Sequence, residues 1–187
     1  MIRIISDRKA ERIIRYLNDW IDTVAQRYHV PSAIIKAILY IEMTRMDILD
    51  PLVDLIVGTC LFAKKDSSTG YAQIFAYVGV NAVNFAVHEG LTDYQKLNIP
   101  SDHRLDSSDS KDVHLMWKYL HRNPESNIEI ATLNILSAAK EKTGRLDFAS
   151  FSEDELKLVL TRYNANTDHI TKYGEEAYGH YLRYLNN

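Results

Sequence analysis

The chain has 187 residues, 46% of them hydrophobic and 25% charged, enough for one domain with its own core and ordinary for a soluble globular protein. A formal charge of −3 gives no general electrostatic reason to bind nucleic acid or an anionic membrane, and the single cysteine, Cys60, excludes an intramolecular disulfide. Seven glycines and four prolines leave few turn signals, so helices are expected rather than a many-stranded sheet.

In chain order, Ser6 or Asp7 can cap a first helix running to about residue 28, since Ile13, Ile14, Leu17, Trp20, Ile21, Val24 and Tyr28 recur at helical spacing on one face. His29-Val30-Pro31 breaks it, and Pro31 is well placed to open a second helix over about 32–43. That helix is apolar nearly all round and should be central. Asp50-Pro51 predicts another cap and an apolar helix over 51–63, in which Cys60 reads as a packing thiol. Residues 64–69 predict a loop or short hairpin, followed by a helix over 76–88. The polar stretch 92–110 is expected to be irregular or mobile. Helices are expected at 111–122, 126–142, 153–164 and 172–186, the 126–142 segment again apolar on most faces. The expected fold is all-α, with two buried central helices wrapped by amphipathic ones and at most a short hairpin, in a single domain over 1–187.

Glu42 stands out. It is a lone carboxylate ending the apolar run Ala33 to Ile41, partly desolvated and near the negative end of the helix dipole. Both effects push its pKa upward, which suits a general acid working near neutral pH. Downstream come Gly70-Tyr71-Ala72-Gln73-Ile74, then Asn127-Ile128, then Tyr163-Asn164.

With these segments in this order, residues 28–185 resemble the lysozyme superfamily, specifically its soluble lytic transglycosylase and goose-type lysozyme branch. Pro31, Ile34, Ala37, Ile38 and Glu42 match the pattern of its catalytic helix. Gly70 to Ile74 resembles its G-L-M-Q turn, and Tyr173 to Tyr184 resembles its closing helix of spaced tyrosines. The resemblance implies a lysozyme-like fold and a peptidoglycan glycosidase, a muramidase or lytic transglycosylase cleaving the MurNAc–GlcNAc β-1,4 bond. Glu42 would be the catalytic acid, protonating the leaving oxygen as an oxocarbenium-like centre develops. Gly70, Tyr71, Gln73, Asn127, Tyr163 and Asn164 would be substrate-binding. Gly70 would let the backbone pass close to the sugar, Gln73 would orient the substrate or Glu42, and Asn164 would hydrogen-bond an acetamido group or a loop. Asp47, Asp50, Asp54 and Asp66 are the nearby candidates for a second carboxylate, which a lytic transglycosylase does not require. The sequence departs from the branch in three places. Met43 stands where Ser is usual, an insertion occupies 43–66, and Arg162-Tyr163-Asn164-Ala165-Asn166 lacks the customary glycine.

No metal or cofactor is expected. There is no H-E-x-x-H, no phosphate loop, no dinucleotide fingerprint and no G-x-S-x-G elbow. The N-terminus lacks the apolar stretch of a secretory signal, and no run reaches the roughly 18 apolar residues of a membrane span. The expectation is therefore synthesis in the cytoplasm and action at the cell wall or periplasm after non-classical export, as a phage endolysin or a secreted antibacterial effector. The partners would be a peptidoglycan glycan strand and, for an effector, an immunity protein that plugs the Glu42 cleft. The alternative is a catalytically inactive helical module on the same scaffold that docks a protein partner. A nuclease-like helical toxin is a third, weaker reading.

Overall fold

A computed structural model of the chain describes residues 5–45 and 68–186. Within them the protein is all-α, with eight α-helices, one 3-10 turn and a two-stranded hairpin.

Ser6 caps α1 (Asp7–Tyr16) by accepting from the Lys9 N–H, and α2 (Asn18–Tyr28) begins one residue beyond its end. The single helix expected to residue 28 is thus two. The break is shallow, because the Leu17 N–H still donates to the Ile13 carbonyl and the Leu17 carbonyl still accepts from Ile21. Asn18 and Asp19 favour helix starts over helix interiors, and Asn18 spends its amide on Asp22. The helix restarts there while Ile14, Leu17, Ile21 and Val24 keep one buried face. His29 ends α2 in the left-handed region (φ 54°), and Pro31 precedes α3 (Ser32–Arg45). As expected, α3 is buried on nearly every face. It runs two residues past the expected end, which puts Glu42 in its last turn. The predicted 51–63 helix, most of the 43–66 insertion, Cys60 and the acids Asp47, Asp50, Asp54 and Asp66 lie outside the described residues.

The hairpin pairs β1 (Ser68–Thr69) with β2 (Ile74–Phe75), Ser68 opposite Phe75 and Thr69 opposite Ile74. Phe75 leads directly into α4 (Ala76–His88). The stretch after α4 is irregular, as expected, yet anchored: Leu97, Ile99 and Leu105 are buried, and the Tyr119 hydroxyl donates to the Leu97 carbonyl. Then come α5 (Ser110–Arg122) and α6 (Pro124–Thr143), where Asn123 caps and Pro124 takes the first position. A capping box of Ser152 and Glu155 opens α7 (Glu153–Asn164), and Thr171 caps α8 (Lys172–Leu185).

The two central helices are α3 and α6. Helix α6 is packed by α2, α4, α5 and α7, whereas α3 is held by α1, α2 and α8. Helix α2 is clamped to α6 through buried Glu129, which accepts from Arg27 Nη1 (2.5 Å) and the Tyr28 hydroxyl (2.8 Å). Helix α8 spans both halves, packing on α3 and on α7. Its approach to α7 needs Gly174, where a Cβ would lie 2.1 Å from Thr161 Oγ1 and 2.6 Å from the Lys157 carbonyl. Among the described residues, no helix is long and apolar enough to cross a membrane.

Candidate active site

Glu42 faces a cleft of about 500 Å³. Four elements wall it besides α3. The hairpin contributes Ser68, Gln73 and Phe75, α4 contributes Tyr77 and Asn81, and α6 contributes Asn134 and Ser137. The end of α7 adds Arg162, Tyr163 and Asn164. Among the described lining residues Glu42 is the one acid. The two cations are paired: Arg45 Nη2 lies 2.5 Å from Glu176, and Arg162 Nε lies 2.7 Å from Glu141. What remains is neutral carboxamides, hydroxyls, aromatic rings and the aliphatic side chains of Ile74, Val78, Ala82 and Ala165.

The Glu42 carboxyl touches solvent through the cleft and is otherwise enclosed by protein. Burial pushes its pKa from the ordinary 4.5 up to about 7. Two contacts oppose that rise without cancelling it: the Tyr173 hydroxyl donates to Glu42 Oε1 at 2.5 Å, and the Arg45 charge favours the carboxylate. The Arg45 guanidinium also sits 4.8 Å from the centre of the Tyr173 ring, steadying the donor. Tyr173 occupies Oε1, which leaves Oε2 to carry the proton. Tyr173 and Tyr163 are themselves held neutral, both pushed well above the usual tyrosine range by burial first and the nearby Glu42 charge second. A carboxylic acid that stays protonated to near neutrality, beside an open cleft, can donate a proton to a bound leaving group.

The residues predicted from sequence divide into two sets. Gln73, Tyr163 and Asn164 line the cleft with Glu42. Gly70, Tyr71 and Asn127 are not among its lining residues. Asn127 is fully buried; its Nδ2 donates to the Thr69 carbonyl (3.0 Å) and its Oδ1 accepts from the Ala72 N–H (2.9 Å). It ties the hairpin turn to α6. Asn127 gives Gly70 a structural reason: its φ is +74°, and a Cβ there would lie 2.2 Å from Asn127 Nδ2. Tyr71 is half-buried against the core. Gln73 lines the cleft but is engaged within the turn, donating to the Gly70 carbonyl (2.8 Å) and accepting from Ser68 Oγ (2.9 Å). Tyr163 closes the assembly, its hydroxyl donating to the Ala72 carbonyl at 2.8 Å. The turn is thus bolted from two sides, by Asn127 on α6 and by Tyr163 on α7.

Four residues escaped the sequence reading of the site. Tyr173 and Arg45 form the immediate environment of Glu42. Tyr173 lies 131 residues away along the chain, so no spacing marks it. Phe75 is an unusually exposed aromatic at 37%, and Asn134 is a polar residue inside the apolar run Ile128 to Leu136. Asn134 follows Asn127 by seven residues, two helical turns on the same face, and that signal was present in the sequence.

Comparison with protein-family models, curated proteins and solved structures returns no match. The class that fold and site define is therefore physical: an all-α protein with a raised-pKa glutamic acid in a neutral, amide- and aromatic-lined cleft.

Proposed function

We propose that this protein is a peptidoglycan glycosidase, a muramidase or lytic transglycosylase, with Glu42 as the general acid that protonates the bridging oxygen of the MurNAc–GlcNAc bond. The observation that carries the reading is a single acid, shifted to about 7, opening on a cleft whose other described groups suit a neutral, hydroxyl- and amide-rich polymer. Phe75, Tyr77 and Tyr163 offer ring faces against which sugars stack, while Gln73, Asn81 and Asn164 offer paired donors and acceptors.

Among the described lining residues there is no second carboxylate to serve as base or nucleophile. The candidates for one lie outside the described residues, so the products decide between attack by water and the one-acid route, in which the sugar's own C6 hydroxyl attacks the anomeric carbon and leaves a 1,6-anhydro end. In that route Glu42 first gives its proton to the leaving oxygen. As a carboxylate it then accepts the C6 hydroxyl proton, so the acid is regenerated without water. Its substrate lies outside the cytoplasm, so the same reading assigns delivery as an endolysin or secreted effector, with an immunity protein as a possible inhibitor of the effector form.

The test is digestion of purified peptidoglycan followed by mass spectrometry of the fragments. The wild-type protein should release muropeptides, with anhydro ends if the one-acid route holds and reducing ends if water attacks. Glu42→Gln should reduce release at least about a hundredfold. Equal release by that variant overturns the assignment.

A further inference from the structure

The formal charge of −3 conceals a local excess of positive charge. Helix α1 carries Arg8, Lys9, Arg12 and Arg15, all exposed, and none of them lies within salt-bridge distance of an acid among the described residues. Every described lysine and arginine on α2, α3, α6, α7 and α8 is paired. At 3.6 residues per turn, Arg8, Arg12 and Arg15 fall within about 60° of arc, opposite the buried Ala10, Ile14 and Leu17. Glu11 does not neutralise this stripe, because its charge is matched by Arg183 on α8. Asp7 and Asp19 stand only at the two ends. On the flank is Tyr16, at 74% the most exposed large apolar side chain among the described residues, with the Trp20 ring edge-on at 6.0 Å.

We propose that α1 is a docking face for an anionic lipid surface, its arginines binding phosphatidylglycerol-type headgroups while the Tyr16 ring settles among them. Cations one turn apart on an exposed helix, bordered by Tyr and Trp rings, match a plane of phosphates above apolar chains. Each cation near such a surface is worth about fivefold in partitioning. The two rings are apolar in body and polar at one end, which suits the boundary between headgroup and chain. A nucleic acid would need phosphate contacts from a second wall. The helices around α1 supply none, since the described cations of α2, α3 and α8 are already paired. Lys111, Lys118 and Arg122 are also unpaired among the described residues, but they are spread along α5 with no exposed aromatic on that helix. The apolar face of α1 stays in the core, so the association is peripheral. No residue of α1 lines the cleft, which remains open when α1 is docked.

The experiment is sedimentation of the full chain with unilamellar vesicles, either phosphatidylcholine alone or an equal mixture with phosphatidylglycerol. The wild-type protein should bind the mixed vesicles, leave them in high salt and ignore pure phosphatidylcholine. Arg8→Gln, Arg12→Gln and Arg15→Gln together should weaken partitioning about a hundredfold. Glutamine keeps the helix propensity of these exposed positions, so the melting temperature should not move. Tyr16→Ser alone should weaken partitioning severalfold. The charge-matched variant Lys111→Gln, Lys118→Gln and Arg122→Gln should bind like the wild type. No binding to the mixed vesicles, binding that survives the α1 substitutions, or an equal loss in the α5 variant overturns the proposal. A DNA duplex bound more tightly than the mixed vesicles overturns the choice of partner. Digestion of purified peptidoglycan is read separately and should be the same for the α1 variant as for the wild type, so failure here leaves the Glu42 assignment standing.

Discussion

If burial raises the Glu42 pKa, then Glu42 should destabilise the fold at neutral pH, and Glu42→Gln should reveal it. The folded-state value of about 7 exceeds the ordinary 4.5, so between those pH values the native state binds more protons at this position than the unfolded chain. Stability from the neutral acid is therefore complete below pH 4.5, falls as pH rises, and is fully lost once pH passes about 7. At 1.36 kcal/mol per pH unit, that loss is about 3 kcal/mol. Water in the cleft screens part of the effect, so this is the upper end. Glutamine mimics the protonated acid in shape and can still accept from Tyr173, so its variant lacks this pH dependence. Urea unfolding of both proteins from pH 4 to pH 8 should give equal stabilities at pH 4 and a variant more stable by 2–3 kcal/mol at pH 8, or about 5–10 °C in melting temperature. Other titrating groups, such as His103, whose pKa is raised by Asp102 and then Asp112, act equally in both proteins and cancel in the difference. A difference that stays constant across the pH range, or a wild type more stable at pH 8, refutes the buried-acid argument at its root.

Tyr173→Phe removes the donor that favours the Glu42 carboxylate, so the alkaline limb of the activity profile should move upward by about one pH unit. A limb that stays in place or moves down contradicts the role given to that hydrogen bond. Gly70→Ala forces a side chain into a left-handed position against Asn127 and should cost about 2–4 kcal/mol, read from denaturant midpoints. Wild-type stability in that variant excludes the tight turn described above. Arg27→Ala removes a charged partner from buried Glu129 and should cost about 2 kcal/mol, with less loss when Glu129→Gln is added. Additive losses in the double variant show that the two side chains are uncoupled.

The fold was readable because its signals are local. The apolar periodicities of 32–43 and 126–142, the cap at Ser6 and Pro31 ahead of α3 each sit within or beside one element. Leu17 was missed as a break because the buried face runs straight through it, so hydrophobic spacing carries no trace of the interruption. The site was only partly readable for the opposite reason. Glu42 announced itself as an acid in an apolar run, and Tyr163-Asn164 and Gln73 came with motifs. Gly70 and Asn127 came with motifs as well, but that Asn127 bonds the Thr69 and Ala72 backbone on either side of Gly70 is a contact across 55–58 residues that no spacing marks. Tyr173 could not be found from spacing, since its contact with Glu42 is made by packing α8 across α3.

That packing decides how well the acid is aimed. Glu42 belongs to the half of the molecule held by α1, α2 and α8, while the described cleft walls belong to α4, α6, α7 and the hairpin. Helices α3 and α6 themselves barely touch, so the acid is registered against the cleft indirectly, by α2 through Glu129 and by α8 through its seat on α7. The second link is the more direct, because Gly174, which has no room for a Cβ against α7, is the neighbour of Tyr173. A methyl at that position must push against the Thr161 side chain and the Lys157 carbonyl, levering the start of α8 away and taking the Tyr173 hydroxyl with it. Gly174→Ala should therefore cost both stability and alignment: about 2–3 kcal/mol in unfolding, and an alkaline limb displaced upward as in Tyr173→Phe. A variant destabilised to that extent whose pH profile is unmoved would show that α8 positions the fold but not the acid.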